Sequence, residues 1–510
     1  MSNGSFVHVL CTTSSATNVI GTSYEPVFDA GHGSAAFSNN ISDDISWDSA
    51  VGTFTFSRDG IYHIVLTLIS SQVTSAKVQT VKFNLNSEDP WYEAGAEANH
   101  NQDPVQVTHQ KIISVSAGDV LHINAKTAGN TMGIEKGTGL SIIEVASGVY
   151  ASNTVTTNGS NNTTDEFNPY DTDLSGGPAF ASANQISNGI TVTPTAGSWT
   201  VPSAGKYLIM VSNFHGATNS TNSNTTIILK EGSNALWTGA VRNNNNVDPI
   251  ESTICVIEDL AADAVLTVTF NIASNQVFAT VGATFTVYKL NDSDEVRDLT
   301  RFISVVNKAA LTATAAAVNP FDEDSYSSAD FDTRSSNSII FAQDEGTFTV
   351  GEAGLYFVMH SALLSVASDA VITFIIKVND AIAITANTVK VDSFPDPLSR
   401  VVSGILSLSD GDVITVTIDS DGANLGHDAG SSMTIFRIPD WLHKETTPSS
   451  LINTDHTINS FTQESLSAQY KRVTEQVPFS LGIPGPMSLR GRPLATTATP
   501  VLTKTGDNKS

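Results

Sequence analysis

The side chains best suited to chemistry in this sequence are its two cysteines and eleven histidines. Cys11 and Cys255 stand alone in distant parts of the chain. A nucleophilic cysteine needs a neighbouring base, and a disulfide framework needs several cysteines, so both are predicted to be free thiols buried in strands. His8, His63 and His122 fall on predicted strands, and we expect them to be packed or surface side chains and not catalytic groups.

Sequence motifs for ester, metal or phosphate chemistry are not found. The sequence has no Gly-x-Ser-x-Gly elbow, no His-Glu-x-x-His pair and no phosphate-binding glycine loop. Asp419-Ser420-Asp421-Gly422 resembles the start of a calcium loop, but the glutamate that would complete such a loop is absent. We therefore expect no enzyme activity, no metal and no cofactor.

The composition is that of an acidic chain rich in strand and turn formers. Its 25 basic and 51 acidic residues give a net charge of −26. No basic stripe could neutralise a phosphate backbone, so direct binding of nucleic acid is not expected. We expect no membrane span, since no apolar run reaches about 18 residues, and no export by a signal peptide, since the N-terminus lacks a basic region followed by an apolar core.

The elements that must position these side chains are repeated. One block of sequence, here called the anchor block, is Gly-x-Phe/Trp-Thr (the anchor strand) followed by Gly-x-Tyr. It occurs three times with periods of 145 and 149 residues, at 52–62, 197–207 and 346–356. Alternate residues such as Phe54 and Phe56 share one face of a strand. The second glycine of the block is predicted to reverse the chain with a positive φ. Phe54, Trp199 and Phe348 are predicted core residues.

Two later landmarks keep their distance from this block. A tight turn at Gly118-Asp119 and again at Gly411-Asp412 precedes a strand with apolar residues at alternate positions. The corresponding Asp263-Ala264 lacks the glycine, which leaves the conformation of that turn open. A closing strand ends each unit, at 140–145, 285–290 and 433–438. The predicted domains are repeat 1 (1–147), repeat 2 (148–292), repeat 3 (293–440) and a C-terminal tail (441–510).

These landmarks resemble the TNF-like jelly-roll superfamily, which includes the globular heads of complement recognition proteins. Its members show a Gly-x-Phe-Thr…Gly-x-Tyr block, a late Gly-Asp turn and an aliphatic or aromatic closing strand. The resemblance covers about 440 of the 510 residues. It implies an all-β fold in three tandem copies, each a ten-strand sandwich of the kind that assembles around a threefold axis.

The strand after the Gly-x-Tyr turn supports such an assembly independently. In repeats 2 and 3 it is apolar on both faces, as where Leu208 and Met210 lie opposite Tyr207 and Ile209, whereas the outer face in repeat 1 is more polar (His63, Val65, Thr67). One face belongs to the core of its own repeat, and the other must be covered. We therefore predict that the three repeats form an intrachain pseudo-trimer and that the free protein is a monomer.

The tail differs from the repeats in charge and pattern. Residues 441–510 hold 7 basic and 5 acidic residues, which leaves a net charge of −28 on the repeats. Leu466, Tyr470 and Val473 have the spacing of one short helix, and Arg490 and Arg492 follow in an open segment. The tail is either a solvated disordered segment or an extended segment that binds a partner through these five residues.

Two functions from different classes fit these sequence features. The first is a non-enzymatic virion structural protein at the virion surface, a bacteriophage capsid decoration (cement) protein or head fibre, whose tail binds capsid subunits. The alternative is a receptor- or glycan-binding attachment protein (spike or fibre) whose loops contact the host cell. An intracellular hydrolase built on a β-sandwich is a third possibility. The first two differ in which part of the chain binds.

Overall fold

The computed structural model divides into two units, Met1–His443 and Lys444–Ser510, and all of the described residues lie in the first. They are 5–14, 20–30, 36–72, 77–86, 92–98, 105–128, 131–145, 147–158, 166–173, 185–217, 223–243, 250–272, 277–290, 301–309, 311–313, 317–323, 330–336, 338–366, 370–391, 398–421 and 424–438. Within these ranges no helix is both long enough and apolar enough to cross a bilayer.

Repeat 1 consists of strands rich in Val, Ile, Thr and Phe, which pack well on a pleated surface. They are β1 (Phe6–Thr13), β2 (Glu25–Pro26), β3 (Ala36–Ile41), β4 (Ile45–Asp48), β5 (Thr53–Phe56), β6 (Gly60–Gln72), β7 (Lys77–Leu85), β8 (Tyr92–Ala98), β9 (Val105–Val115), β10 (Val120–Thr127), β11 (Met132–Ile134) and β12 (Gly139–Glu144).

Repeat 2 follows the same order, with one 3-10 turn at Pro194–Ala196 before its anchor block. Its strands are β13 (Tyr150–Thr154), β14 (Gln185–Asn188), β15 (Thr191–Thr193), β16 (Ser198–Thr200), β17 (Gly205–Ala217), β18 (Ser223–Glu231), β19 (Asn234–Asn243), β20 (Ile250–Leu260), β21 (Val265–Ile272), β22 (Val277–Ala279) and β23 (Thr284–Lys289).

Repeat 3 repeats this order again. Its strands are β24 (Phe302–Asn307), β25 (Leu311–Ala313), β26 (Ala317–Val318), β27 (Phe331–Ser335), β28 (Ile339–Ala342), β29 (Thr347–Val350), β30 (Gly354–Val366), β31 (Ala370–Val378), β32 (Ala381–Val391), β33 (Leu398–Leu408), β34 (Val413–Asp419), β35 (Leu425–His427) and β36 (Ser432–Arg437).

Each repeat forms two antiparallel sheets. In repeat 1 the inner sheet has the order β9-β6-β12-β1-β3, with β11 also on β6, and the outer sheet has the order β4-β5-β10-β7-β8. Repeat 2 has β20-β17-β23-β13-β14 and β15-β16-β21-β18-β19, and repeat 3 has β33-β30-β36-β24-β27 and β28-β29-β34-β31-β32. The predicted fold, an all-β chain of jelly-roll sandwiches, is confirmed. The domain boundaries stay predictions.

The core of each sandwich is built around the predicted aromatic residue. Phe54, Trp199 and Phe348 are all fully buried. Trp199 stacks on Phe285 with ring centroids 3.6 Å apart, and its Nε1–H donates to Asn153 Oδ1 at 2.7 Å. The one polar atom of this side chain is therefore satisfied inside the core.

The late turn keeps one geometry in all three repeats. Gly118 and Gly411 have φ values of 93° and 86°, and Asp263 takes the same place with φ 64°. Each donates its backbone N–H to a carbonyl at the end of the anchor strand; for Asp263 the acceptor is the Val201 carbonyl at 3.0 Å. The open question about this turn is thus resolved: aspartate replaces glycine in a left-handed conformation, which aspartate tolerates better than most residues do.

The prediction of a positive φ at the second glycine of the anchor block is wrong for two of the three repeats. Among these glycines only Gly205 has a positive φ, which is 152°. The shared requirement is space. A Cβ on Gly60 would lie 2.6 Å from the Tyr62 ring, and one on Gly205 would lie 2.6 Å from Lys289 Cε. In each case a side chain lies directly over the glycine, so there is no room for a Cβ atom at this position.

Candidate functional site

The three repeats contact one another in a cycle. The edge strand of each inner sheet packs against the first and last strands of the next repeat: β9 against β13 and β23, β20 against β24 and β36, and β33 against β1 and β12. Repeat 3 therefore contacts repeat 1 in the way that repeat 1 contacts repeat 2. We call the buried surface between the repeats the inter-repeat interface.

One end of this interface is apolar and is similar in the three repeats. Its side chains belong to a single buried cluster with members from every repeat. Nine of them, here called the apolar ring, are Phe6, Tyr150, Phe302, Ile143, Tyr288, Phe436, Ile112, Ile257 and Ile405. Leu208 and Met210, the outer face of β17, lie in the same cluster and are covered by the neighbouring repeats. Burial of each large apolar side chain stabilises the body by roughly 1.5–3 kcal/mol.

Along the edge strand of repeat 2, side chains of repeat 3 satisfy the backbone. Thr253 donates its N–H to Ser399 Oγ at 3.1 Å, and its carbonyl accepts from Ser361 Oγ at 2.7 Å. The Cys255 carbonyl accepts from Thr434 Oγ1 at 2.8 Å. An edge strand offers unpaired backbone groups to any other strand. Here the next repeat occupies these groups.

Repeat 2 satisfies the edge strand of repeat 1 with different residues. Ile112 donates its N–H to Ser152 Oγ at 3.2 Å. The Gln110 amide donates to the Thr284 carbonyl at 3.0 Å, while its Oε1 lies 3.1 Å from His63 Nε2. Glutamine spans this gap because it carries both a donor and an acceptor.

The inter-repeat interface has three parts, here called seams, one between each pair of repeats. The third seam, between repeats 3 and 1, closes the cycle. The Gln106 amide of repeat 1 donates to the Val401 carbonyl of repeat 3. Gly404 leaves room for His8, since a Cβ there would lie 3.0 Å from His8 Nε2. Burial lowers the pKa of His8 to about 4, so the imidazole is neutral in this seam.

Two ionisable side chains, Glu251 and Arg400, are buried where the three edge strands meet. Glu251 of repeat 2 accepts hydrogen bonds from the Thr253 hydroxyl and from the Thr108 backbone N–H of repeat 1. Burial raises the pKa of Glu251 to about 8, although these bonds and Arg400 of repeat 3 act in the opposite direction. Burial also lowers the pKa of Arg400 to about 10, and its Nη1 donates to the Ser399 carbonyl at 2.6 Å.

The closing strands of the repeats all finish at the same end of the interface, next to the apolar ring. Val145, Leu290 and Ile438 occupy equivalent places and donate their N–H groups to the carbonyls of Ile61, Lys206 and Leu355 at 2.7–2.8 Å. We call this the terminal end. The described residues end there, at Ile438.

A pair of polar residues beside the terminal end is present in every repeat, but the position that carries the positive charge differs between repeats. Repeat 1 pairs Arg58 with Glu144, whereas repeat 3 pairs Glu352 with Arg437 at 2.8 Å. In repeat 2, Lys289 Nζ donates to the hydroxyl of Ser203 at 3.0 Å. The contact is kept in the three repeats, while the partners that carry the charge are not.

The residues singled out for chemistry in the sequence have structural surroundings. Cys11 and Cys255 are buried free thiols, as predicted, and burial raises the pKa of each to about 12. His63 is buried with a pKa lowered to about 4 by burial. The Asp421 N–H donates to Asp419 Oδ1 at 3.0 Å, so the described part of the calcium-like run, 419–421, forms a local turn. Across the described ranges, no three His, Cys, Asp or Glu side chains are grouped so as to hold a metal.

The predicted partner-binding residues of the tail lie outside the described residues: Leu466, Tyr470, Val473, Arg490 and Arg492. Sequence reasoning missed the polar part of the inter-repeat interface. The usable pattern was the edge strand itself, which mixes apolar residues with polar runs such as Thr108-His109-Gln110-Lys111 in β9 and Glu251-Ser252-Thr253 in β20. Polar residues inside such a strand must bond to another part of the protein.

Comparisons with known proteins add only distant structural likenesses. No family model and no curated protein matches the chain. An Eiger TNF from S. frugiperda is 13% identical with a TM-score of 0.20, covering 30% of this chain and 98% of its own. PNGF-II is 7% identical (TM-score 0.24, 76% and 100% covered), and the Sulfolobus Turreted Icosahedral Virus structure is 12% identical (TM-score 0.16, 82% and 91% covered). The fold assignment therefore rests on the strand pairing described above.

Proposed function

We propose that this protein is a non-enzymatic structural protein of a virion, a bacteriophage capsid decoration protein or head fibre held at the virion surface by its C-terminal tail. One observation carries the proposal: all three closing strands finish at the terminal end, and the chain continues from Ile438 at that end. A closed body whose chain continues from one end suits a protein that is fixed to a larger surface.

The body itself supports this role because one edge of each inner sheet, formed by β9, β20 and β33, is already occupied. The next repeat bonds each of these strands, so they offer their contacts within the chain and not to another chain. We assign attachment to a particle to residues 439–510 or to the loops. We propose that the free protein is a monomer whose three repeats form a pseudo-trimer.

The charge distribution favours the tail as the attached part. The repeats carry a net charge of −28 and the tail one of +2. Arg490 and Arg492 can pair with carboxylates of a capsid subunit, and Leu466, Tyr470 and Val473 can fill an apolar groove. A body with internal threefold arrangement can also sit on a local threefold axis of a shell as one chain.

The test is binding by a chain that ends at Asp440. We expect it to melt like the full chain and to lose cosedimentation with particles that lack the native protein. A full chain carrying Arg490→Gln and Arg492→Gln is the matched variant, and we expect it to bind more weakly than the wild type. Retained binding by the shortened chain would reject anchoring by the tail and favour the receptor- or glycan-binding alternative.

A further inference from the structure

The edge strands of the three repeats meet at a level where they carry different residues. The register of each edge strand with its neighbour places Gln106, Glu251 and Ser399 at equivalent positions, opposite Ile69, Phe214 and Leu363. The three strands β9, β20 and β33 contact one another. We call this the Glu251 level. It holds one acid, one amide and one hydroxyl, all buried.

The acid of this level touches all three repeats. Glu251 belongs to repeat 2, it accepts from the Thr108 backbone N–H of repeat 1, and it lies close enough to Arg400 of repeat 3 for each charge to act on the other. Neither of the other repeats carries a base at the place of Arg400, since the equivalent residues are Val107 and Ser252. The surroundings of Glu251 thus combine unlike contributions from repeats 1 and 3.

We propose that the edge of repeat 2 fits repeats 1 and 3 of its own chain and excludes a second copy of repeat 2, because the Glu251 level accepts only one acid. Three identical repeats would place three carboxyl groups at this level, where burial already penalises one. The arrangement disfavours any body that contains more than one copy of repeat 2, so each body takes one repeat of each kind. This inference holds whether or not the protein decorates a virion.

The proposal is tested by adding a second acid at this level in the full-length protein. Gln106→Glu places a second carboxyl at the Glu251 level and loses the amide bond to the Val401 carbonyl. Gln106→Met loses the same bond without a charge and is the matched control. At neutral pH we expect Gln106→Glu to melt roughly 5–10 °C below Gln106→Met.

The same pair is then compared in a Glu251→Gln background, which keeps the size of the side chain and removes the native acid. We expect the gap between Gln106→Glu and Gln106→Met to shrink by at least half, because only one acid remains. An equal melting temperature for the two variants in the wild-type background, or a gap that is unchanged in the Glu251→Gln background, overturns the proposal.

Discussion

The apolar ring and the Glu251 level lie in the same inter-repeat interface and differ in symmetry. At one level of the apolar ring the edge strands carry the same residue in each repeat: Ile112, Ile257 and Ile405. At the Glu251 level they carry three different residues. Three separate, identical chains could build the first arrangement. The second requires three unlike repeats.

The difference separates what drives association from what selects partners. Apolar burial is non-directional and would stabilise almost any pairing of repeats. Buried polar groups are costly unless their partners are in place, so they discriminate between neighbours. Residues such as Glu251, Gln110 and Gly404 differ between the repeats of the one chain, while the apolar ring is apolar or aromatic in all three.

The largest effect is expected in the apolar ring and its immediate packing. Phe357 is buried, and its ring centroid is 5.2 Å from that of Phe436. Phe357→Ala should lower the free energy of unfolding by about 3–5 kcal/mol through cavity formation. Ile340, which is 62% exposed, gives the control Ile340→Ala with an expected change within about 0.5 kcal/mol. Equal denaturation midpoints for the two variants would mean that the interface is not packed as described.

The pH dependence of stability should reveal the Glu251 level. Folding raises the pKa of Glu251 from 4.5 to about 8, so the folded state holds this proton more tightly than the unfolded state does. The contribution is present at low pH and is lost as the pH rises through about 8. Relative to the wild type, Glu251→Gln should therefore gain up to about 4 kcal/mol in the free energy of unfolding between pH 5 and pH 9.

Lys111 supplies a control of opposite sign in the same edge strands. Burial lowers its pKa from 10.5 to about 7, so the cost of burying the charged form is full below about pH 7 and falls as the pH rises from there towards 10.5. Lys111→Met should therefore be more stabilising, relative to the wild type, at pH 5 than at pH 9. Melting curves of both variants across this range would contradict the assignment if the two trends had the same sign.

The smallest effect is expected from a single hydrogen bond across a seam. Ser361→Ala removes the hydroxyl that donates to the Thr253 carbonyl and leaves that buried carbonyl without this donor. We expect a loss of about 1–3 kcal/mol in urea unfolding. Ser407→Ala, at an exposed serine on β33, is the control and should be nearly neutral. If Ser361→Ala lowered the free energy of unfolding no more than Ser407→Ala does, water would have to reach the Thr253 carbonyl in the seam between repeats 2 and 3.

The repeated part of the structure could be predicted from the sequence, and the divergent part could not. Phe54, Trp199 and Phe348 recur at fixed spacing, and their burial follows from alternation alone. The roles of Gln110 and Glu251 depend on which strand of another repeat lies beside them, which no local pattern contains. The predicted reason for the second glycine of the anchor block, a positive φ, was wrong for Gly60. The sequence does not show that the Tyr62 ring lies over this glycine and leaves no room for a Cβ atom.

The central claim is that one chain closes three repeats into one compact body, and small-angle X-ray scattering on a chain ending at Asp440 tests it most directly. We predict the mass of a single chain and a radius of gyration of about 22 Å, the value for a compact body of this length. A mass corresponding to three chains, or a single-chain mass with the much larger radius of three separated sandwiches, would contradict the account.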